Sequence, residues 1–157
     1  MNTIALNRLL TSAVLAFSLS HAFGADSAPA ANDKLAAARA QISAKNWDGA
    51  IAELERVNDT ASADWNNLMG FSLRKAGTPD LAASEKFYDE ALRIDPKHRG
   101  TLEYSGELYL IKGDLPMAEQ RLAALDKVCT LSCPEYRDLK KAIARYKATG
   151  SRAPSDY

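Results

Sequence analysis

The chain has 157 residues, with 20 Lys and Arg against 20 Asp and Glu, two cysteines and two histidines. Charge so balanced argues against a nucleic-acid binder and against a protein held to membranes by electrostatics. The length allows one domain of ordinary size.

The chain opens on a single basic residue, Arg8, followed by an apolar run from Leu9 to Leu19 and then Ala22-Phe23-Gly24. That order reads as an export signal over residues 1–24, cleaved after Gly24. Its apolar core is well short of the ~20 residues that cross a bilayer, so no membrane insertion is expected once the signal is removed. The mature chain would then carry 19 basic and 20 acidic residues in the periplasm or outside the cell. Residues 25–32 are small, polar and proline-containing, the composition of a flexible leader. At the far end, residues 149–157 mix Gly, Pro, Ser and opposite charges without periodicity and read as a disordered tail.

Between these ends, residues 33–148 are rich in Ala, Leu, Glu, Lys and Arg and show no run of β-branched alternation, so the class is all-α. Breaks at Gly77, Asp95-Pro96, Gly113-Asp114 and Cys133-Pro134 divide the segment into short helices. Expected boundaries are 33–44, 47–58, 63–76, 80–94, 98–112, 115–128 and 135–148. Asp80, Asp114 and Ser132 are candidate N-caps, and Pro116 and Pro134 fall in first turns, where a missing N–H costs nothing.

The segment repeats itself. Ala50, Ser84 and Ala118 are spaced by 34 residues, as are Leu54, Tyr88 and Leu122, and Val57, Ala91 and Leu125. Offsets of four and seven inside each set place a small residue, a large apolar residue and a further apolar residue on one helix face. A fixed period of this length marks a stack of helical hairpins. Gly70 and Gly106 are 36 apart, and the two extra residues, Thr78-Pro79, fall in a turn where they disturb no packed face. After the last repeat, Tyr136, Leu139, Ile143 and Tyr146 form one apolar stripe with Arg137, Lys140, Lys141 and Arg145 around it. This is an amphipathic helix suited to cap the open end of a stack.

The stretch from Trp65 to Phe71, with Lys75-Ala76-Gly77, Tyr88 and Ala91 to Pro96, resembles a tetratricopeptide repeat. Tyr104-Ser105-Gly106 with Tyr109, Lys112-Gly113-Asp114 and Ala118 resembles a further copy, and Ala38 with Asn46-Trp47-Asp48 and Ala50 a weaker first one. The resemblance implies an α-solenoid of three hairpins plus a C-terminal capping helix, working as a non-catalytic adaptor or assembly factor. Its concave groove, lined by the first helix of each pair, would hold a peptide or partner protein. Carried over by position, the lining is Leu35, Arg39 and Ile42, then Asn67, Phe71, Arg74 and Lys75, then Glu103, Glu107, Leu110 and Ile111. Of these, Arg39, Asn67, Phe71, Arg74, Lys75, Glu103 and Glu107 are the candidate partner-binding residues, with Phe71 and Arg74 foremost because aromatic and Arg side chains dominate interface energies. The chain is expected to be a monomer or weak homo-oligomer.

Chemistry-bearing residues are few. Cys129 and Cys133 straddle the turn before the capping helix, and an exported chain keeps such a pair bridged. The alternative is a thiol redox or copper-handling accessory using the same two sulfurs. No metal signature and no cofactor motif is present. His98 is the one histidine outside the signal and reads as a solvated surface residue, with no nucleophile arranged to use it.

Overall fold

The computed structural model describes residues 33–131 and 133–150. The expected signal, leader, Ser132 cap and residues 151–157 of the tail lie outside the described residues. Among those described there are seven helices and no strand: α1 Ala36–Ser43, α2 Trp47–Val57, α3 Ala63–Lys75, α4 Leu81–Ile94, α5 Arg99–Lys112, α6 Leu115–Val128 and α7 Pro134–Thr149. The expected elements are present, with ends moved by up to three residues. At the start, Asp33 turns the chain before α1, its Oδ1 accepting from the Leu35 N–H at 2.9 Å. At the end, α7 runs one residue further than expected and stops at Gly150, whose positive φ of 65° closes the last turn.

Short polar side chains start the helices. Asp80 and Asp114 cap α4 and α6 as expected, accepting from the N–H groups of Ala83 at 2.9 Å and Met117 at 3.1 Å. Asn46, Ser62 and His98 do the same for α2, α3 and α5. Pro134 is the first residue of α7, and Cys133 precedes it without a side-chain cap. Gly113 ends α5 with φ 85°, a conformation that suits glycine.

Helices pair as α1 with α2, α3 with α4 and α5 with α6, and successive hairpins stack so that α1, α3, α5 and then α7 neighbour one another in an inner row. The outer row, α2, α4 and α6, carries the 34-residue columns. Ala50, Ser84 and Ala118 are fully buried, as are Leu54, Tyr88, Ala91 and Leu125, while Leu122 and Val57 are half-buried. Burying one such large apolar side chain contributes about 1.5–3 kcal/mol.

The inner row meets the outer one where it has no side chain. A Cβ on Gly70 would lie 2.8 Å from the Tyr88 ring and 3.0 Å from the Ser84 carbonyl oxygen. Ser84 uses that proximity, donating its hydroxyl to the Gly70 carbonyl at 2.7 Å. At Gly106 the corresponding space is filled by Leu139 of α7, whose Cδ2 would be 2.6 Å from an added Cβ. The last helix therefore seats itself on α5 and α6, burying Leu139, Ala142 and Ile143 with Tyr136 and Tyr146 packed at the margin, as a cap should.

Gly70→Ala should cost about 2 kcal/mol, because its methyl group meets a buried ring and a backbone carbonyl rather than a mobile chain end. Urea unfolding followed by circular dichroism would show the lower midpoint; Gly77→Ala, with open space around the site, is the control expected to move little.

Candidate partner-binding face

The inner row brings the positionally expected residues together along α1, α3 and α5. Arg39 is exposed and Lys75 half-buried, with Ile42 and Ile111 also half-buried. Asn67, Phe71, Arg74, Glu103 and Glu107 are buried, none more than 6% exposed. Phe71, Arg74 and Glu107 meet groups on neighbouring helices, and Asn67 accepts a hydrogen bond from α5.

Two sets of contacts join α3 to its neighbours. In the first, Arg74 Nη2 donates to Glu107 Oε2 at 3.0 Å, with both side chains almost wholly removed from water. The Arg74 guanidinium also lies 5.5 Å from the Phe71 ring centroid and 5.7 Å from that of Tyr104. Phe71 stacks at a tilt on Tyr104, centroids 4.6 Å apart, and takes Trp47 edge-on at 5.7 Å. One aromatic ring thus connects α2, α3 and α5. Burial works against the Arg74 charge, yet Tyr88 and Glu107 outweigh it and hold the pKa above the ordinary arginine value. Burial, with Glu103 adding to it, pushes the Tyr104 phenol up to about 12, so the aromatic part of the cluster stays neutral at physiological pH.

The second set is polar. Asp64 Oδ2 accepts from Arg39 Nη2 at 3.2 Å, and Asp64 Oδ1 lies 2.9 Å from His98 Nε2. His98 Nδ1 accepts the Thr101 backbone N–H at 3.1 Å, so the neutral ring carries its proton on Nε2 and donates it to Asp64. Thr101 then donates its hydroxyl to Asn67 Oδ1 at 3.1 Å. The run from Arg39 through Asp64 and His98 to Thr101 and Asn67 links α1, α3 and α5. The His98 hydrogen bond, followed by the Arg39 charge, holds the Asp64 carboxyl below its usual range despite partial burial. His98 is therefore no solvated bystander. It caps α5 and ties the second repeat to the third, a role visible in the sequence only through its 34-residue spacing from Asp64.

Cys129 and Cys133 are bonded, S–S 2.01 Å, across the turn between α6 and α7. Among the described residues, no three His, Cys, Asp or Glu side chains are grouped to hold a metal ion, and no helix is long and apolar enough to cross a membrane.

No family model and no curated protein sequence matches the chain. Among solved structures, the fold is similar to that of the Yersinia enterocolitica type III secretion chaperone SycD, crystallised with a peptide of the translocator YopD. The TM-score is 0.61 at 16% identity, over 75% of this chain and 92% of that one. The architecture is a tetratricopeptide-like α-solenoid of three hairpins and a terminal helix.

Glu107→Gln should destabilise the domain by about 3 kcal/mol, since it leaves the Arg74 charge buried with its ionic partner gone. Arg39→Ala, which breaks exposed ion pairs, should cost under about 1 kcal/mol. Chemical denaturation of the two variants side by side checks the contrast.

Proposed function

We propose that the protein is a non-catalytic interaction module, an adaptor or assembly factor, that holds a peptide segment of a partner protein against the inner helices. The observation that carries this reading is the inner row itself: three parallel-stacked first helices of a solenoid whose fold is shared with a chaperone solved with a bound partner peptide. In this reading Arg39, Ile42, Lys75 and Ile111 are the accessible groups that a segment meets first. Behind them, Phe71, Tyr104, Arg74 and Glu107 fix the spacing of α3 and α5 and so the shape the segment must match. Pre-setting that shape lowers the ordering cost of binding. The dithiol alternative gains no support, because the two sulfurs are bonded to one another and Cys133 is only 6% exposed.

The same reading places the mature chain in the periplasm or outside the cell, on the strength of the Arg8, Leu9 to Leu19 and Ala22-Phe23-Gly24 pattern. Intact-mass measurement of the chain recovered from an exporting bacterial host should give a first residue of Ala25; a chain retained in the cytoplasm at full length removes this part of the proposal.

Peptide binding is tested by selection from a displayed peptide library, with the retained sequences titrated calorimetrically. Arg39→Glu combined with Lys75→Glu should weaken binding of the selected peptides about tenfold, because charges at the rim steer and register a partner; circular dichroism of the variant checks that the fold survives loss of the Arg39 pair with Asp64. Unchanged affinity in that variant, or no selectable peptide at all, defeats the inner-face reading.

A further inference from the structure

A second surface lies where α6 ends and α5 begins. A cleft of about 300 Å³ is lined by Lys97, Arg99, Lys127 and Val128. Three of these four side chains are cations, and no carboxylate of the described residues lines the cleft. Glu135 approaches Arg99, with Oε1 3.8 Å from Nε, but the Arg99 side chain remains 53% exposed, so this loose pair leaves most of its charge available to solvent. Because α5 starts at Arg99, the partial positive charge of its N-terminal end adds to the field.

Val128 leads directly into the bridged loop. Cys129 and Cys133 close a five-residue ring in which Leu131 is 87% exposed, and among the described residues Leu131 alone is a large hydrophobic side chain so fully in water. An isolated exposed leucine is ordinary. This one is held on a covalently closed loop, and the three residues from Val128 to Leu131 span at most about 11 Å. Leu131 therefore stands exposed on a covalently closed loop, within that reach of the Val128 wall of the cleft. Of these residues only Arg99, the first of α5, lies on α1, α3 or α5, and none of them is among the partner-binding residues expected on the inner row.

We propose that the cleft and loop form a second docking surface, for an acidic segment of a partner protein. Its carboxylates pair with Lys97, Arg99 and Lys127, and an adjacent apolar side chain packs on Leu131. Charge complementarity selects this occupant: a basic segment would be repelled, and an apolar one would leave three cations desolvated without partners.

The probe is a fluorescein-labelled peptide, Gly-Leu-Leu-Glu-Glu-Asp-Glu-Gly, titrated with the full exported chain and followed by fluorescence anisotropy. Lys97→Glu with Lys127→Glu should weaken binding by about tenfold or more, and rising salt should weaken it for the parent. Leu131→Ser, and separately Cys129→Ser with Cys133→Ser, should each cost about threefold to fivefold, with helicity retained. The Arg39→Glu, Lys75→Glu variant should bind this probe like the parent, so failure here is distinguishable from failure of the inner-face reading. No saturable binding below about 1 mM, or equal binding by the Lys97→Glu, Lys127→Glu variant, overturns the proposal. So does tighter binding of oligo-dT or of phosphatidylserine-containing phosphatidylcholine vesicles, either of which would give the cleft to another class of anion.

Discussion

The stack depends on how closely an inner helix can approach an outer one. At the second hairpin the approach is so close that Gly70 has no room for a methyl group, and the Ser84 hydroxyl reaches the Gly70 carbonyl directly. The fully buried column Ala50, Ser84 and Ala118 repeats the small residue on the outer row, and the larger residues four positions on fill the volume beside it. Neither helix of a pair can bury its stripe alone, so each hairpin needs the next, and the last needs something different. That is α7, whose Leu139 enters the space over Gly106 and ends the propagation with a charged outer face.

Close packing fixes the hairpins; the polar contacts fix their register. A buried ion pair such as Arg74 with Glu107 adds little net stability over a well-packed apolar pair, since both charges give up their hydration. What it supplies is selectivity: a slip of α5 along α3 by one turn would take Glu107 away from Arg74 and Thr101 away from Asn67. The His98 link to Asp64 would break in the same slip. The aromatic contact between Phe71 and Tyr104 tolerates small displacements, whereas these hydrogen bonds do not. Rigidity between repeats two and three thus comes from residues that any composition-based reading would assign to the surface.

This explains which parts of the molecule were legible. The outer helices repeat small, large and apolar positions at a constant 34-residue spacing, and that pattern alone yields the hairpins and their faces. Asp80 and Asp114 are legible caps because aspartate before a helix has one local job. His98 before Arg-Gly has no such signature, and its cap depends on an aspartate one repeat earlier. Position in the repeat points Phe71 and Arg74 towards a partner; their burial follows from Trp47 of α2 and from Tyr104 and Glu107 of α5. Periodicity finds a face, but the chemistry of a face is a property of pairs that no single repeat contains.

The cysteine pair shows the same limit from the other side. Expected export and spacing lead to a bridge, and the sulfurs are bonded, yet the surface proposed beside that bond, with Leu131, Lys97, Arg99 and Lys127, has no such signature. Two of those cations come from the turn before α5 and its first residue, some thirty positions upstream of the loop. Stacking makes neighbours of the two segments, because α5 and α6 form one hairpin and α7 packs on both. A solenoid of three repeats has a short inner face, so the turns at its end form a large share of the surface it offers. In the docking surface proposed for this end, a disulfide at the turn, where the terminal helix already supplies the capping, shapes what the loop presents.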